Sequence, residues 1–341
     1  MKLQFFERTA EDRATIIREV AARRDISAVM VEKDFWVSWT LVVLFGHPEF
    51  SDELVFKGGT SLSKVFGVIE RFSEDIDLSV SPDFVGIKEE WVEEADSRNK
   101  RTDRMKQLEA ACIEKVRERF APELERIAEE SLGKPKDGNR WMEFQVDDDT
   151  HSPVILFHYP SNETTGFEYL RRSVKMEFGS LTDQRPAGKH TIKPWLAEEF
   201  PELLVDFDCE LVALELERTF WEKATILHAE YHRDAAKPIR DRFSRHYADT
   251  AAMATHAEIS PVLSNNELRQ HVTNWKSRFF PSSWARYDLA KPGTFHLVPP
   301  DSRRAELEKD YLAMAPMFLN KPASFASILQ TLIDLERRIN T

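Results

Sequence analysis

Apolar residues recur at helical spacing through the first part of the chain. Ala10–Arg23 is charged and alanine-rich, and Val31–Phe45 (VEKDFWVSWTLVVLF) is apolar over most of its length, which predicts a mostly buried helix. Leu54–Phe56 is a short apolar run that stops at Lys57-Gly58-Gly59, the pattern of a strand entering a tight turn. Thr60 and Ser61 then stand where an N-cap is expected, ahead of a short helix predicted over Leu62–Ile69. Asp75–Val80 (DIDLSV) alternates polar and apolar residues, the period of a half-buried strand.

Further along, Glu89–Glu130 is highly charged but places Met105, Leu108, Cys112, Val116 and Phe120 at helical spacing, predicting a long solvated helix or hairpin. Gly133–Asn139 reads as a turn-rich linker. Met142–Val146, Val154–Tyr159 and Ser173–Phe178 read as strands. From about Glu210 the pattern turns helical, most clearly over Glu215–Arg233. Pro281–Pro300 interrupts it, and Leu307–Asn340 returns to helix. Strands therefore concentrate between about residues 54 and 210, with helices before and after. The fold class this predicts is α+β, an α+β body followed by an α-helical C-terminal part, with the boundary between 1–208 and 209–341.

Composition narrows the function classes. The 341 residues suffice for about two domains. A formal net charge of −12 means that global charge does not hold this chain on nucleic acid or a membrane, so any RNA contact needs a local basic patch. No run reaches the roughly 18 apolar residues of a membrane span, and MKLQFFERTAEDRA lacks the apolar core of a signal peptide. Two cysteines, Cys112 and Cys209, make neither a disulfide framework nor a CxxC site. The expectation is a cytoplasmic enzyme or nucleotide-binding module.

The stretch that carries chemistry is Lys57–Val80, KGGTSLSKVFGVIERFSEDIDLSV. Glycines let backbone approach an anion closely, and a helix start offers free N–H groups with partial positive charge. On a strand, Asp75 and Asp77 project to one face while Ile76 and Leu78 face the core. Two carboxylates on one face are costly unless a cation sits between them, and a divalent metal is the usual answer. A glycine pair alone is most often only a turn, and a DxD alone most often a solvated strand. In the order strand, GG, helix, DxD strand, they suit metal-assisted phosphoryl or nucleotidyl transfer.

Gly59-Thr60-Ser61, then 13 intervening residues and Asp75-Ile76-Asp77-Leu78, resembles the signature of the DNA polymerase β-like nucleotidyltransferase superfamily. More narrowly, KGGTSLSK with RFSEDIDLSV is similar to the AbiEii/AbiGii-type toxins, a family that includes the MenT nucleotidyltransferase toxins. EKDFWVSWTL, FSRHYADTAAM and KDYLAMAPMF extend the likeness from about residue 30 to residue 335. The resemblance implies a polymerase β-like core, a small mixed sheet flanked by helices, with the helical C-terminal domain completing the active-site cleft. It implies the toxin of a type IV toxin–antitoxin, phage-defence pair. Such an enzyme takes an NTP with Mg²⁺ or Mn²⁺ and transfers NMP; some members use the tRNA 3′ end as acceptor, the acceptor the resemblance implies here, and the partner gene commonly encodes a winged-helix antitoxin.

Carried over by position, Asp75 and Asp77 fall on the metal pair, Ser73 on a serine near the nucleotide, and Gly58, Gly59, Thr60 and Ser61 on the phosphate-cradling turn. Lys57 and Lys64 bracket that turn and either neutralise triphosphate charge or serve as plain surface residues. Glu177, in Val174-Lys175-Met176-Glu177-Phe178, is the candidate third metal carboxylate; the other reading is an exposed ion pair on the face it shares with Lys175. Lys223 matches a family lysine near the triphosphate, the alternative being a surface helix lysine, and Asp249 matches an active-site aspartate. Lys237, Arg240, Arg242, Arg245 and His246 form the densest basic cluster, serving the triphosphate, a tRNA end or neighbouring glutamates. Arg245 is the nucleotide-contact candidate among them.

Other signals carry less. His228 and His232 stand at zinc-pair spacing, but HxExH is not HExxH, and a solvated helix face is expected. Trp36, Trp39, Trp195 and Trp221 read as core, while Trp275 and Trp284 are candidates for base stacking. Two rival functions use the same residues: a GTP or ATP sensor without transfer activity, and nucleotidylation of a protein hydroxyl.

Overall fold

The computed structural model describes residues 4–88, 91, 97–135, 138–161, 170–205 and 207–341. It divides into two compact units, Met1–Val65 with Ser73–Ala213, and Phe66–Phe72 with Leu214–Thr341. The first is built on a seven-stranded mixed sheet. Its strands are β1 (Leu54–Lys57), β2 (Ile76–Val80), β3 (Met142–Val146), β4 (Pro153–Phe157), β5 (Val174–Gly179), β6 (Ala187–Ile192) and β7 (Cys209–Leu214), in the order β3-β4-β5-β2-β1-β7-β6. β2 lies at the middle, antiparallel to β1 and parallel to β5.

Among the described residues four helices precede β2: α1 (Gln4–Glu7), α2 (Ala10–Arg24), α3 (Ala28–Phe45) and α4 (Gly58–Lys64). The Thr9 and Ser27 hydroxyls cap α2 and α3 by accepting the amides of Asp12 and Met30. α3 is buried on nearly all sides, as its apolar sequence requires, and its Val31, Phe35 and Trp39 join Phe56, Ile76, Leu78, Met176 and Phe178 in one core. It also buries three charged residues in succession, each with a partner. Glu32 accepts from the Ser161 hydroxyl, Lys33 binds Glu74 and the Arg171 carbonyl, and Asp34 takes Lys64 and the Trp195 amide.

Two sequence expectations about these elements need correction. The helix after the glycine pair begins at Gly58 with Lys57 at its N-cap and ends at Lys64, so Thr60 and Ser61 lie inside it and do not cap it. Their hydroxyls turn to Asp75 and Gly58 carbonyls instead. The segment from about Glu210 opens with a strand, because β7 pairs in parallel with β1. β6 carries no strong strand signal (AGKHTI) and has an open face. The charged stretch does form helices over Arg98–Lys115 and Ala121–Leu132; its residues 89–90 and 92–96, and residues 136–137 of the expected linker, lie outside the described residues.

The second unit is helical. Leu216–Tyr231 is its central helix, and Arg245–Ala254 and Asn266–Phe279 pack against it, while Phe325–Asn340 packs on Arg245–Ala254. Residues 66–72 join this unit through backbone pairing: Phe72 N–H donates to the Met317 carbonyl at 2.7 Å and Leu319 N–H to that of Glu70 at 3.0 Å. His228 is fully buried, not on a solvated face. Its Nε2 lies 3.0 Å from the Arg286 carbonyl and its Nδ1 accepts the His296 amide at 3.1 Å, so backbone groups occupy both nitrogens. Among the described residues, no helix is long and apolar enough to cross a membrane.

Candidate active site

Alternation along β2 and the residues that lead into it sets the site of the first unit. Ile76 and Leu78 are fully buried, whereas Ser73, Asp75 and Asp77 lie on the partly open face. β5 repeats the pattern, with Val174, Met176 and Phe178 in the core and Lys175 and Glu177 outward. Register completes a row across three strands, because Asp77 is opposite Lys57 on β1 and Glu177 on β5.

Gly58 makes room for this row. Its φ is +83°, and a Cβ there would stand 2.0 Å from Asp77 Oδ2 and 2.8 Å from Cγ. Only glycine satisfies both conditions. Gly58→Ala is expected to displace the Asp77 carboxylate, slowing transfer at least tenfold and lowering stability by about 1–2 kcal/mol. Gly133→Ala is the control, with φ +80° and nothing within 4 Å of its Cβ, so it carries only the backbone strain. Equal transfer rates for the two variants would remove the Asp77 contact as the reason for the glycine.

The carboxylates are held in tension. Burial pushes the Asp75 carboxyl up to about 6, the like charges of Glu74 and Asp77 add to it, and Lys175 and Lys33 oppose them. Glu74 is tied to buried Lys33, whose own ammonium is pulled below its ordinary range by burial despite that partner. The Thr60 hydroxyl bonds both Ser73 Oγ, at 2.9 Å, and the Asp75 carbonyl, fastening α4 to the start of β2. Thr60 and Ser61 are fully buried with their hydroxyls engaged inside the protein, which leaves the turn's backbone as its means of contact with an anion. Lys64 is half of a buried ion pair with Asp34 at 2.5 Å, not a free cation beside the turn.

The residue types at the DxD pair fit a hard divalent ion. Mg²⁺ is commonly held by one or two carboxylates with substrate phosphates completing its shell. Among the described residues no group of three or more His, Cys, Asp or Glu is gathered to hold a metal, and the Glu177 carboxylate is engaged by Lys175 at 2.9 Å. The fit is therefore to Asp75 and Asp77, with Glu177 alongside in register.

In the second unit, Lys223 is buried rather than on the helix surface, and meets Asp249 at 2.8 Å. Arg71 grips the same carboxylate through Nε and Nη2, both at 2.8 Å. Burial alone would raise the Asp249 carboxyl, but the two cations overcome it and hold it well below the usual carboxylate range. Arg245 and His246 follow on the same helix as Asp249, and burial together with Lys223 and Arg245 keeps the His246 ring well below its ordinary range. In the basic cluster, Arg240 lies over the Phe243 ring and 4.0 Å from Glu230. Arg71 and Lys33 stand within the RFSEDIDLSV and EKDFWVSWTL motifs without a local sign of their role. Their partners lie 178 and 41 residues away, and no local pattern signals such pairs.

Residues 40–331 match the family model described as "Nucleotidyl transferase AbiEii toxin, Type IV TA system". Among solved structures, MenT4, a nucleotidyltransferase toxin from Mycobacterium tuberculosis H37Rv, aligns over 96% of this chain and 89% of its own, with 17% identity and a TM-score of 0.49. No curated protein matches the chain. The family match spans most of the sequence and includes the Gly58 turn, the Asp75–Asp77 strand, Lys223 and Asp249: the chain belongs to the AbiEii nucleotidyltransferase toxins of type IV toxin–antitoxin systems.

Proposed function

We propose that this toxin is a Mg²⁺-dependent enzyme that transfers NMP from an NTP to the 3′ end of tRNA, acts in the cytoplasm as a phage-defence effector, and is countered by a winged-helix antitoxin. The observation that supports it most is the Asp75–Asp77 pair, on one face at the start of a central strand beside a glycine that leaves room for Asp77. Asp75 and Asp77 hold the metal, with Glu177 as the candidate third carboxylate. When bound, the ion neutralises charge on the α-phosphate and makes the acceptor hydroxyl a better nucleophile. The backbone of Gly58–Ser61 receives the phosphates, and Ser73 and Lys57 border the nucleotide. Lys223 is assigned to charge on the departing pyrophosphate, since Arg71 and Lys223 share one aspartate and retain a net positive charge. Asp249 holds that lysine, and Arg245 is assigned to the nucleotide. No covalent intermediate is needed, because the hydroxyl attacks phosphorus directly and pyrophosphate leaves.

The test uses each α-labelled NTP in turn with Mg²⁺, total tRNA and cell-extract protein, with Asp75→Ala/Asp77→Ala as control. Label is expected on tRNA and absent with the double variant. Label on protein alone would replace the acceptor. Retained NTP binding without label on either would favour a nucleotide sensor.

A further inference from the structure

We propose that Lys175 is the resident counter-cation of the carboxylate face, occupying the electrostatic place of the divalent ion until that ion enters and displaces it. This rests on the reading that Asp75 and Asp77 hold metal, and adds to it a residue that sets how tightly they do so.

Lys175 and Glu177 lie two apart on β5 and therefore share a face. The Lys175 ammonium is 2.9 Å from Glu177 Oε2 and 3.6 Å from Asp147 Oδ2, and its charge also acts on Asp75. One lysine therefore pairs with carboxylates on β5 and just past β3, and its charge reaches Asp75 at the entry to β2, while Glu177 itself is in register with Asp77. Charge arithmetic makes the arrangement necessary. Asp75, Asp77, Glu177 and Asp147 bring four negative charges to this neighbourhood, and without a cation their mutual repulsion falls on the fold. A second cation that acts on Asp75 is Lys33, buried and fixed between Glu74 and the Arg171 carbonyl.

Lys175 differs from Lys33 in being able to leave. Its side chain is 20% exposed, and a four-carbon stem lets the ammonium swing towards solvent. A divalent ion brings twice its charge to the same carboxylates, and the two cations repel. Metal binding must therefore include the work of moving Lys175, and the lysine weakens metal affinity while it supports the metal-free protein. Lys175 is thus a positioning residue, not a catalytic one.

The test is an EPR titration with Mn²⁺ alone, without nucleotide, on the full chain, paired with melting curves in EDTA. Lys175→Met is expected to bind Mn²⁺ about tenfold more tightly than wild type, as removal of a charge a few ångströms away in a partly solvated site implies. It should also melt a few degrees lower in EDTA, and recover more than wild type when Mn²⁺ is added. Lys175→Arg keeps the cation and should keep wild-type affinity. Unchanged Mn²⁺ affinity in Lys175→Met overturns the proposal. Weaker affinity overturns it too, and would make the lysine a support that aims Glu177 at the metal. If wild type and Lys175→Met both fail to bind Mn²⁺ alone, this inference fails, because no ion then enters the nucleotide-free site for the lysine to give way to; the metal assignment would fail only if Mn²⁺ also stayed unbound with an NTP present. Binding by wild type that Asp75→Asn/Asp77→Asn abolishes, with Lys175→Met unchanged, leaves the metal assignment standing and removes only the role of Lys175.

Discussion

Asp75→Asn is expected to reduce nucleotide transfer by roughly a thousandfold while making the metal-free protein more stable. Two facts produce opposite signs. The side chain is half of the outward carboxylate pair, and an amide oxygen is a far poorer ligand for a hard cation than a carboxylate. In the metal-free state, however, the Asp75 charge is a burden, since burial, Glu74 and Asp77 push its carboxyl up to about 6. A folded-state value above the unfolded one means that the folded protein holds the proton more tightly. The associated stability is present at low pH and is lost as pH rises through about 6. At pH 7.5 the ionised carboxylate therefore disfavours the fold by on the order of 2–3 kcal/mol, which the amide removes. Urea denaturation in EDTA should show the variant more stable above pH 6, with the gap closing as pH falls towards 4. A variant that is inactive but no more stable would mean that the carboxylate is already neutralised in the metal-free protein. A variant that still transfers nucleotide would remove Asp75 from the chemistry.

This opposition also explains how much of the site could be read from the sequence. The alternation of Ser73, Asp75 and Asp77 against Ile76 and Leu78 is a local property, and so is that of Lys175 and Glu177 against Val174, Met176 and Phe178. Both strands, and the face each residue takes, were legible for that reason. The glycine pair was legible as a turn, but the need for Gly58 was not. It arises from Asp77, 19 residues on, which only antiparallel pairing of β1 with β2 brings alongside. The start of α4 was misplaced because Thr60 and Ser61 are good capping residues, whereas the fold gives their hydroxyls to Asp75 and Gly58 carbonyls. β7 carries a helical local signal because Glu, Leu and Ala favour helices, and the parallel partner that makes CELVAL a strand is distant in sequence. Buried charge was the least legible feature. A lysine on a helix reads as surface, and Lys33, Lys64 and Lys223 are all buried because each meets a carboxylate that folding supplies.

The last of these lysines leads to the largest stability effect expected in the second unit. Asp249→Ala is expected to lower stability by about 3–5 kcal/mol, because it leaves the Arg71 guanidinium and the Lys223 ammonium buried together without their anion. Lys223→Met should cost far less, since Arg71 and Asp249 remain as a bidentate neutral pair and the methionine stem fills the space of the lysine stem. The order of the two variants separates the residues' roles. Lys223→Met, folded and near wild type in melting temperature, should still lose most transfer activity if the ammonium meets the departing pyrophosphate. Asp249→Ala should lose activity together with the fold, and Asp249→Asn, which accepts hydrogen bonds but carries no charge, should fall between them in stability. Urea denaturation of the three variants beside wild type, with transfer measured where each remains folded, decides the matter. An Asp249→Ala protein as stable as wild type would mean that Arg71 and Lys223 do not depend on this carboxylate, and its buried place in FSRHYADTAAM would then need a ligand rather than an ion group to explain it.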